Sequence, residues 1–271
     1  MEDRRNRTDQ VLSEEEFLRT YDPSDYERPS LTSDVLVFTT DRTVLRILLV
    51  RRTEPPFSGK WALPGTFIRM EETAEEAAAR ALRDKTGAEG IFLEQLYTFS
   101  ALDRDPRMRI ITVAYIAMVP AGRLLFKQGE EKGQAMLFDI VREGEDICLR
   151  SGGVVLDMKE IAFDHAHMIR TAMDLLAGKI DYTDIAFEFL PDKSRFTLTQ
   201  LRQIYEAVTG RTYDIGNFRR FIRNRYIVPG RIENNHEEWQ EGTPRSVGRP
   251  GASYRYTGVN RNKKGVRTRQ T

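Results

Sequence analysis

Residues 61–88 read WALPGTFIRMEETAEEAAARALRDKTGA, and no other stretch constrains the chain as strongly. A Pro–Gly pair ends a short apolar run. A polar loop follows, and Thr73 opens an Ala- and Glu-rich segment that closes at Gly87. Ala74, Ala77, Ala78, Ala81 and Leu82 fall on one side of a helix over 73–86. That spacing predicts an amphipathic helix lying on an apolar layer. Positions 81, 84 and 85 are spaced by three and four, so they share one helical face.

The order WALPG, spacer, Glu72, Arg80, Leu82, Gly87 resembles the Nudix box of diphosphate hydrolases, G-x5-E-x7-R-E-U-x-E-E-x-G-U, with U a bulky aliphatic. In that register the box glycine is Thr66, and the three helical carboxylates become Ala81, Asp84 and Lys85. Carboxylates there gather Mg2+ or Mn2+, which prefer oxygen ligands and bridge to substrate phosphates. With one ligand missing, one shortened and one turned into a cation, the resemblance implies a degenerate Mg2+ site, no metal cofactor and no catalytic residue. Glu72 and Asp84 leave weak residual hydrolysis open. By itself the helix also reads as a plain structural element.

At 271 residues the chain suits one large domain or two smaller ones. No run approaches the roughly 18 apolar residues of a membrane span, so no membrane partner is expected. MEDRRNRTDQ is too polar for a signal peptide. The single Cys148 points to a reducing compartment, so a cytoplasmic location is expected. The net charge of +1 hides an asymmetry. Residues 193–271 hold 17 basic and 6 acidic side chains, a balance of +11, which leaves −10 for residues 1–192. That is the electrostatic footprint of a nucleic-acid-binding module attached to a different kind of domain.

Ser13 and Glu16 form a capping-box pattern at the start of a short helix. Residues 34–40 and 44–51 read as a hairpin. Residues 91–100 and 108–119 read as strands, with weaker strand signals at 135–140 and 154–158. A helix is expected over 165–177, ended by Gly178. From Thr197 the pattern changes. FTLTQLRQIYEAVTG carries an apolar stripe of Leu201, Ile204, Tyr205 and Val208 and closes at Gly210. Asp214 then caps IGNFRRFIRNRY, in which Phe218, Phe221, Ile222 and Tyr226 face the first helix and Arg219, Arg220, Arg223 and Arg225 lie on or near the open side. Two short helices around a tight turn, the second rich in arginine, satisfy a helix-turn-helix. TPRSVGRPGASYRYTG reads as the wing, placing Arg245 and Arg249 on the DNA backbone or in the minor groove.

The expected fold is therefore α/β, an α/β/α Nudix-like sandwich with a C-terminal winged helix-turn-helix domain. Residues 1–30 form an arm with the short helix, 31–180 the ligand-sensing domain, 181–194 a linker, 195–258 the winged helix-turn-helix and 259–271 a disordered basic tail. With both halves read, the chain resembles the Nudix-related transcriptional regulators of the NrtR type from about Phe17 to Tyr256. YDPSDYERPSLT, ILLVRRTEPPFSGKWALPGTF, LDRDPRMRIITVAYIAMVP, KIDYTDIAFEFLP, FTLTQLRQIYEAVTGR and DIGNFRRFI carry the resemblance. It implies a homodimer on a palindromic double-stranded operator. It also implies an ADP-ribose-like, NAD-derived effector and repression of NAD-synthesis genes, or in some branches a sugar-type effector and sugar-utilisation genes. The chain departs from the family at Thr66 and at Met70–Glu71, at the mouth of the nucleotide site.

A diphosphate without a metal needs cationic donors, and guanidinium groups bind phosphate bidentately. Arg51 and Arg52, Arg69 and Arg104 with Arg107 are the candidates, together with Glu72, which is expected to pair with Arg80 and hold the loop. Trp61 or Phe57 stacks on an adenine or packs under the sheet. Thr199 and Asn217 suit DNA phosphates, and Arg219, Arg220 and Arg223 suit base edges. Two competing functions remain: a Nudix hydrolase of ADP-ribose-like dinucleotides with a basic appendage, and an RNA-binding or scaffold module that uses the basic tail alone and binds without sequence preference.

Overall fold

A computed structural model of the chain describes residues 13–124, 135–144, 146–235 and 252–258. The first helix, α1 (Glu14–Thr20), carries the capping box between Ser13 and Glu16. Strands β1 (Ser30–Asp41) and β2 (Val44–Arg51) form the hairpin, followed by the short strands β3 (Trp61–Ala62) and β4 (Gly65–Phe67). Helix α2 (Ala74–Thr86) is opened by a capping box of Thr73 with Glu76 and closed by Gly87 in the left-handed region. Then come β5 (Leu93–Phe99), β6 (Ile110–Met118), β7 (Ala135–Glu143), β8 (Asp146–Ser151), β9 (Val154–Asp157) and α3 (His165–Lys179).

The sheet order is β5-β6-β1-β2-β7-β8-β9. β1 runs parallel to β6 and antiparallel to β2. β1 is buried from Ser33 to Thr39, as a central strand covered on both faces should be. Its side chains alternate. Leu36 and Phe38 enter the larger core cluster, and Val35 and Val37 enter a smaller one with Ala78, Ala81 and Leu82 of α2. Helices thus cover both faces of the sheet, as an α/β/α sandwich requires. On the first half of β1, β4 takes the place that β2 holds on the second half. That divided neighbour opens a cleft beside Asp34.

The C-terminal unit comprises β10 (Phe196–Thr197), α4 (Leu198–Thr209), α5 (Ile215–Ile222), β11 (Ile232–Asn234) and β12 (Ser253–Tyr256). Its strands pair in the order β10-β12-β11. Thr197 and Gln200 cap α4, Gly210 ends it, and Asp214 caps α5. The expected wing residues Arg245 and Arg249, and the expected disordered tail, lie outside the described residues. Leu201, Tyr205 and Val208 of α4 join the same core cluster as Phe38, Met168 and Leu176, so the two units share one hydrophobic core.

Three expectations change. Helix α3 runs through Gly178, and Ile180 donates its N–H to the Leu176 carbonyl. A glycine within a helix costs at most about 1 kcal/mol, and the fully buried Ile180 just beyond it offsets that. The stretch 181–194, expected as a linker, buries Ile185, Ala186, Phe187, Phe189 and Leu190, with Ile185–Phe189 in a 3-10 turn. Strands β3, β4, β8, β10 and β11 add to those expected. Among the described residues no helix is long and apolar enough to cross a membrane.

Candidate ligand cleft and nucleic-acid face

Thr32 and Asp34 are two residues apart on β1 and therefore face the same way. Both line a cavity of about 170 Å³ with Arg52, Arg104, Phe163 and His165. Asp34 pairs in register with Gly65 of β4. A Cβ at Gly65 would stand 1.9 Å from Asp34 Oδ1, so any side chain there would collide with the carboxylate. This gives the WALPG glycine a steric reason that lies in the site itself.

Charges around the cavity are arranged in pairs. Arg104, only 7% exposed, donates from Nε and Nη2 to the two carboxylate oxygens of Asp164 at 3.0 and 2.9 Å. The same Nη2 lies 3.6 Å from Asp34 Oδ2. His165 Nδ1 accepts the Leu63 N–H at 2.9 Å, which leaves the hydrogen of a neutral ring on Nε2, 3.9 Å from Asp34. Burial pushes the His165 pKa down, and Asp34 and Asp164 oppose that shift only in part. Arg107 grips Asp105 with two bonds of 3.0 and 2.8 Å, and this pairing holds the Asp105 carboxyl below its usual range.

Arg52 donates to the Pro56 carbonyl at 2.7 Å and lies 4.8 Å above the Phe163 ring. Burial, and then the neighbouring Arg107, push its pKa below the ordinary arginine value. It remains a cation, since arginine does not deprotonate in proteins. Phe57 and Phe163 hold φ of 62° and 56° and meet edge to face at 4.8 Å. Left-handed backbone is rare for bulky residues, and such residues cluster at ligand sites.

Of the expected ligand residues, the structure brings Arg52 and Arg104 to this cavity, with Arg107 beside them. Trp61 does not reach it. It is 7% exposed and packs edge to face on Phe138 at 4.9 Å, so it is a core residue and not a stacking platform. Arg51 is exposed, lies outside the cavity lining and donates to the Gly59 carbonyl at 3.1 Å. Arg69 is exposed and outside the cavity lining, and its backbone N–H binds Glu72 at 2.9 Å. Glu72 also lies outside it, held by Arg80 Nε at 3.0 Å. Arg80 reaches on to Thr66 Oγ1 and the Phe67 carbonyl, both at 3.0 Å. This bonding, Arg80 first, pulls the Glu72 pKa down to about 2. The pair fixes the loop, which is why Glu72 is not free for a ligand. Asp34, Asp105 and His165 were not among the expected residues. A carboxylate set in the β-branched, apolar run of β1 was the available signal for the first.

Over the C-terminal unit, Thr199 at the start of α4, Arg219 and Arg223 line a second cavity of about 490 Å³ with Thr197, Ile227 and Tyr254. Asn217 and Arg220 lie outside its lining, exposed, with Arg220 Nη2 donating to Asn217 Oδ1 at 3.1 Å. Phe218 and Ile222 anchor α5 on the core. The arginines are thereby left in water beside the N-terminus of α4, where backbone N–H groups favour anions.

Residues 30–142 match the NUDIX domain, and residues 186–256 match the NrtR DNA-binding winged helix domain. The chain is 33% identical over 246 residues to an ADPR responsive transcriptional repressor NtrR from Acinetobacter baylyi, covering 90% of this chain and 88% of that protein. A MutT/nudix family protein from Enterococcus faecalis superposes with a TM-score of 0.74 at 28% identity, over 92% of this chain and 95% of the other. Shewanella oneidensis NrtR complexed with a 27mer DNA gives a TM-score of 0.63 at 25% identity, over 84% of this chain and 94% of the other.

Proposed function

The chain belongs to the NrtR family of Nudix-related regulators, and from that premise we propose that it is an ADP-ribose-responsive transcriptional repressor that binds a palindromic DNA operator as a homodimer. One observation carries the reading: an arginine-bearing cleft and an arginine-bearing helix are built into one continuous core. Binding in the first can then be felt by the second. The effector's phosphates lie at the mouth of the cleft against Arg52 and Arg107, whose guanidinium groups suit them. The cavity, about 170 Å³, is smaller than the roughly 300–1,000 Å³ of a typical small-molecule site. A dinucleotide therefore fills it with one end only. On the DNA, Arg219 and Arg223, expected from the sequence at base edges, are assigned instead to the backbone with Thr199, because they line the same cavity at the start of α4, while Asn217, expected at a phosphate, accepts from Arg220 and goes with it to base edges.

The Nudix fold implies a divalent metal on the helix face of positions 81, 84 and 85, and the residues here do not fit one. Ala81 offers no oxygen and is 4% exposed under the sheet. Lys85 is a cation, and Glu72 is tied to Arg80. We therefore infer a sensor and not a hydrolase. The first test is thermal unfolding with and without ADP-ribose. A ligand at 100 times its Kd stabilises by about 2.7 kcal/mol. An unchanged melting temperature at millimolar ADP-ribose contradicts the effector reading. Sustained release of AMP with Mg2+ or Mn2+, at about 1 s−1 or faster, contradicts the non-catalytic one.

A further inference from the structure

We propose that Asp184, just beyond α3, is a positioning residue for operator binding: by holding Arg231 and Tyr256 it fixes strands β11 and β12 against the helix that bears the DNA-facing arginines. This rests on the DNA-binding reading above and assigns a role to a residue that lines neither cavity.

Asp184 stands where a helix cap belongs and does not cap. It precedes the 3-10 turn Ile185–Phe189, yet its side chain makes no bond to that turn. An Asp in such a position ordinarily accepts from a backbone N–H two or three residues on. Here Oδ2 accepts instead from Arg231 Nη2 and from the Tyr256 hydroxyl, which lie 47 and 72 residues away in sequence. Oδ1 is buried without a partner among the described residues. A local bond is forgone and one oxygen is left unsatisfied, so donors from β12 and from the start of β11 set the direction of this carboxylate. Burial pushes the Tyr256 pKa up, which keeps its hydroxyl a donor. The Tyr256 ring stacks on Phe187 at 4.1 Å, and its backbone N–H binds the Lys193 carbonyl at 2.8 Å.

The preceding residue holds the second element. Thr183 donates its hydroxyl and its N–H to the Lys179 carbonyl, at 2.8 and 3.0 Å, and is thereby tied to the end of α3. Lys179 is in turn ion-paired with Glu94 of β5. The Thr183 carbonyl accepts from the Tyr226 hydroxyl at 2.8 Å. Tyr226 is fully buried in a π-helical turn, Arg223–Ile227, that prolongs α5. Such turns are rare and are frequent at functional sites. Arg223 and Ile227 of that turn and Tyr254 of β12 are walls of the cavity over the C-terminal unit. Thr183 and Asp184 thus grip both walls, one through Tyr226 and the other through Tyr256, and set the distance between them. That spacing matters because binding side chains must be held within about 0.5 Å of their working positions.

The experiment measures the affinity of the full chain, at fixed salt, for two duplexes: a palindrome selected on the wild type and a scrambled duplex of the same length and composition. In the Asp184→Asn protein the ratio of the two affinities is expected to fall about tenfold, the size of one lost base-pair contact. Affinity for the scrambled duplex is expected to stay within about twofold of wild type or to rise, because removing a negative charge favours any DNA. A loss confined to the palindrome is therefore not an effect of charge. Tyr256→Phe keeps the ring on Phe187 and changes no charge. It is expected to lower the same ratio about threefold, the size of one neutral hydrogen bond, and it keeps the test usable if Asp184→Asn fails to fold. Thermal unfolding identifies the variants that are folded at the assay temperature. A contact that only stabilises the fold would lower the melting temperature and leave the ratio alone. An unchanged ratio in either folded variant, or equal loss on both duplexes, overturns the assignment while leaving the DNA-binding reading intact. A wild-type chain without preference for any duplex overturns the DNA-binding reading, and this assignment with it.

Discussion

Tyr205 of α4 donates its phenolic hydroxyl to the carbonyl of Ile180, at 3.0 Å and with both residues fully buried. Ile180 caps the end of α3, and the other end of α3 begins at His165 in the ligand cleft. Fifteen residues of helix span about 22 Å. One rigid element therefore touches the cleft at its first residue and the DNA-binding unit at its last.

Removing that hydroxyl tests whether α3 carries the signal. Tyr205→Phe strands the Ile180 carbonyl, at an expected cost of about 1–3 kcal/mol in unfolding free energy. Operator affinity without ligand is expected to stay near wild type, while its change on adding ADP-ribose shrinks. Unfolding curves and operator titrations on the same variant separate the two effects. Full retention of the ligand response removes this contact from the coupling.

A second contact between the units is sterically tight. Arg142 of β7 donates to the Val208 carbonyl at 3.0 Å, across the C-terminal end of α4. Gly210 ends that helix at φ 69°, and a Cβ there would lie 2.6 Å from the Arg142 guanidinium. Gly210→Ala is expected to destabilise by about 1–2 kcal/mol from the left-handed backbone alone. Arg142→Ala in the same background is expected to relieve the collision and not the backbone cost. A double-mutant cycle by urea unfolding resolves the two.

The buried His165 sets a pH dependence. Its folded pKa lies below the ordinary value of about 6.5 that the unfolded chain retains. As pH falls below about 6.5 the unfolded chain takes up the proton first. Stability is therefore complete above that pH and declines as pH drops toward the lower folded value. Urea midpoints at pH 7.5 and 5.5 are expected to differ more in wild type than in His165→Gln. Glu72 contributes in a separate window, from 4.5 down to about 2, because its folded pKa is depressed.

On the DNA face the two groups of arginines should behave differently. Arg220→Ala is expected to cost about 1–3 kcal/mol and to relax preference at one base pair. Arg219→Ala and Arg223→Ala are expected to weaken all sequences alike and to reduce the salt slope by about one each. Binding measured at several salt concentrations against a selected palindrome and its point variants distinguishes them. Identical behaviour of the three variants contradicts the division.

The helices were legible because their signals are local. Thr73 with Glu76, Thr197 with Gln200, Asp214, Gly87 and Gly210 each cap within four residues of chain. The cleft was legible only in part, because its members converge from afar. Arg104 and Asp164 are 60 residues apart, and Leu63 and His165 are 102. Arg51 and Arg52 look equivalent as a pair of neighbours, but strand alternation sends them to opposite sides and only Arg52 arrives. Trp61 carries the same ambiguity that any tryptophan does, and the Phe138 ring beneath the sheet resolves it. The buried turn at 185–189 was hidden by its flanking Asp184 and Pro191, which made a packed apolar run look like the edge of a connector.

A ligand-responsive repressor requires coupling between the cleft and α5. Fluorescence anisotropy of a labelled palindromic operator, titrated with the full chain at fixed salt with and without ADP-ribose, measures it directly. Operator affinity is expected to change by about 5- to 150-fold, and by linkage the operator must change ADP-ribose affinity by the same factor. Operator binding that is indifferent to saturating ADP-ribose would contradict an ADP-ribose-responsive repressor.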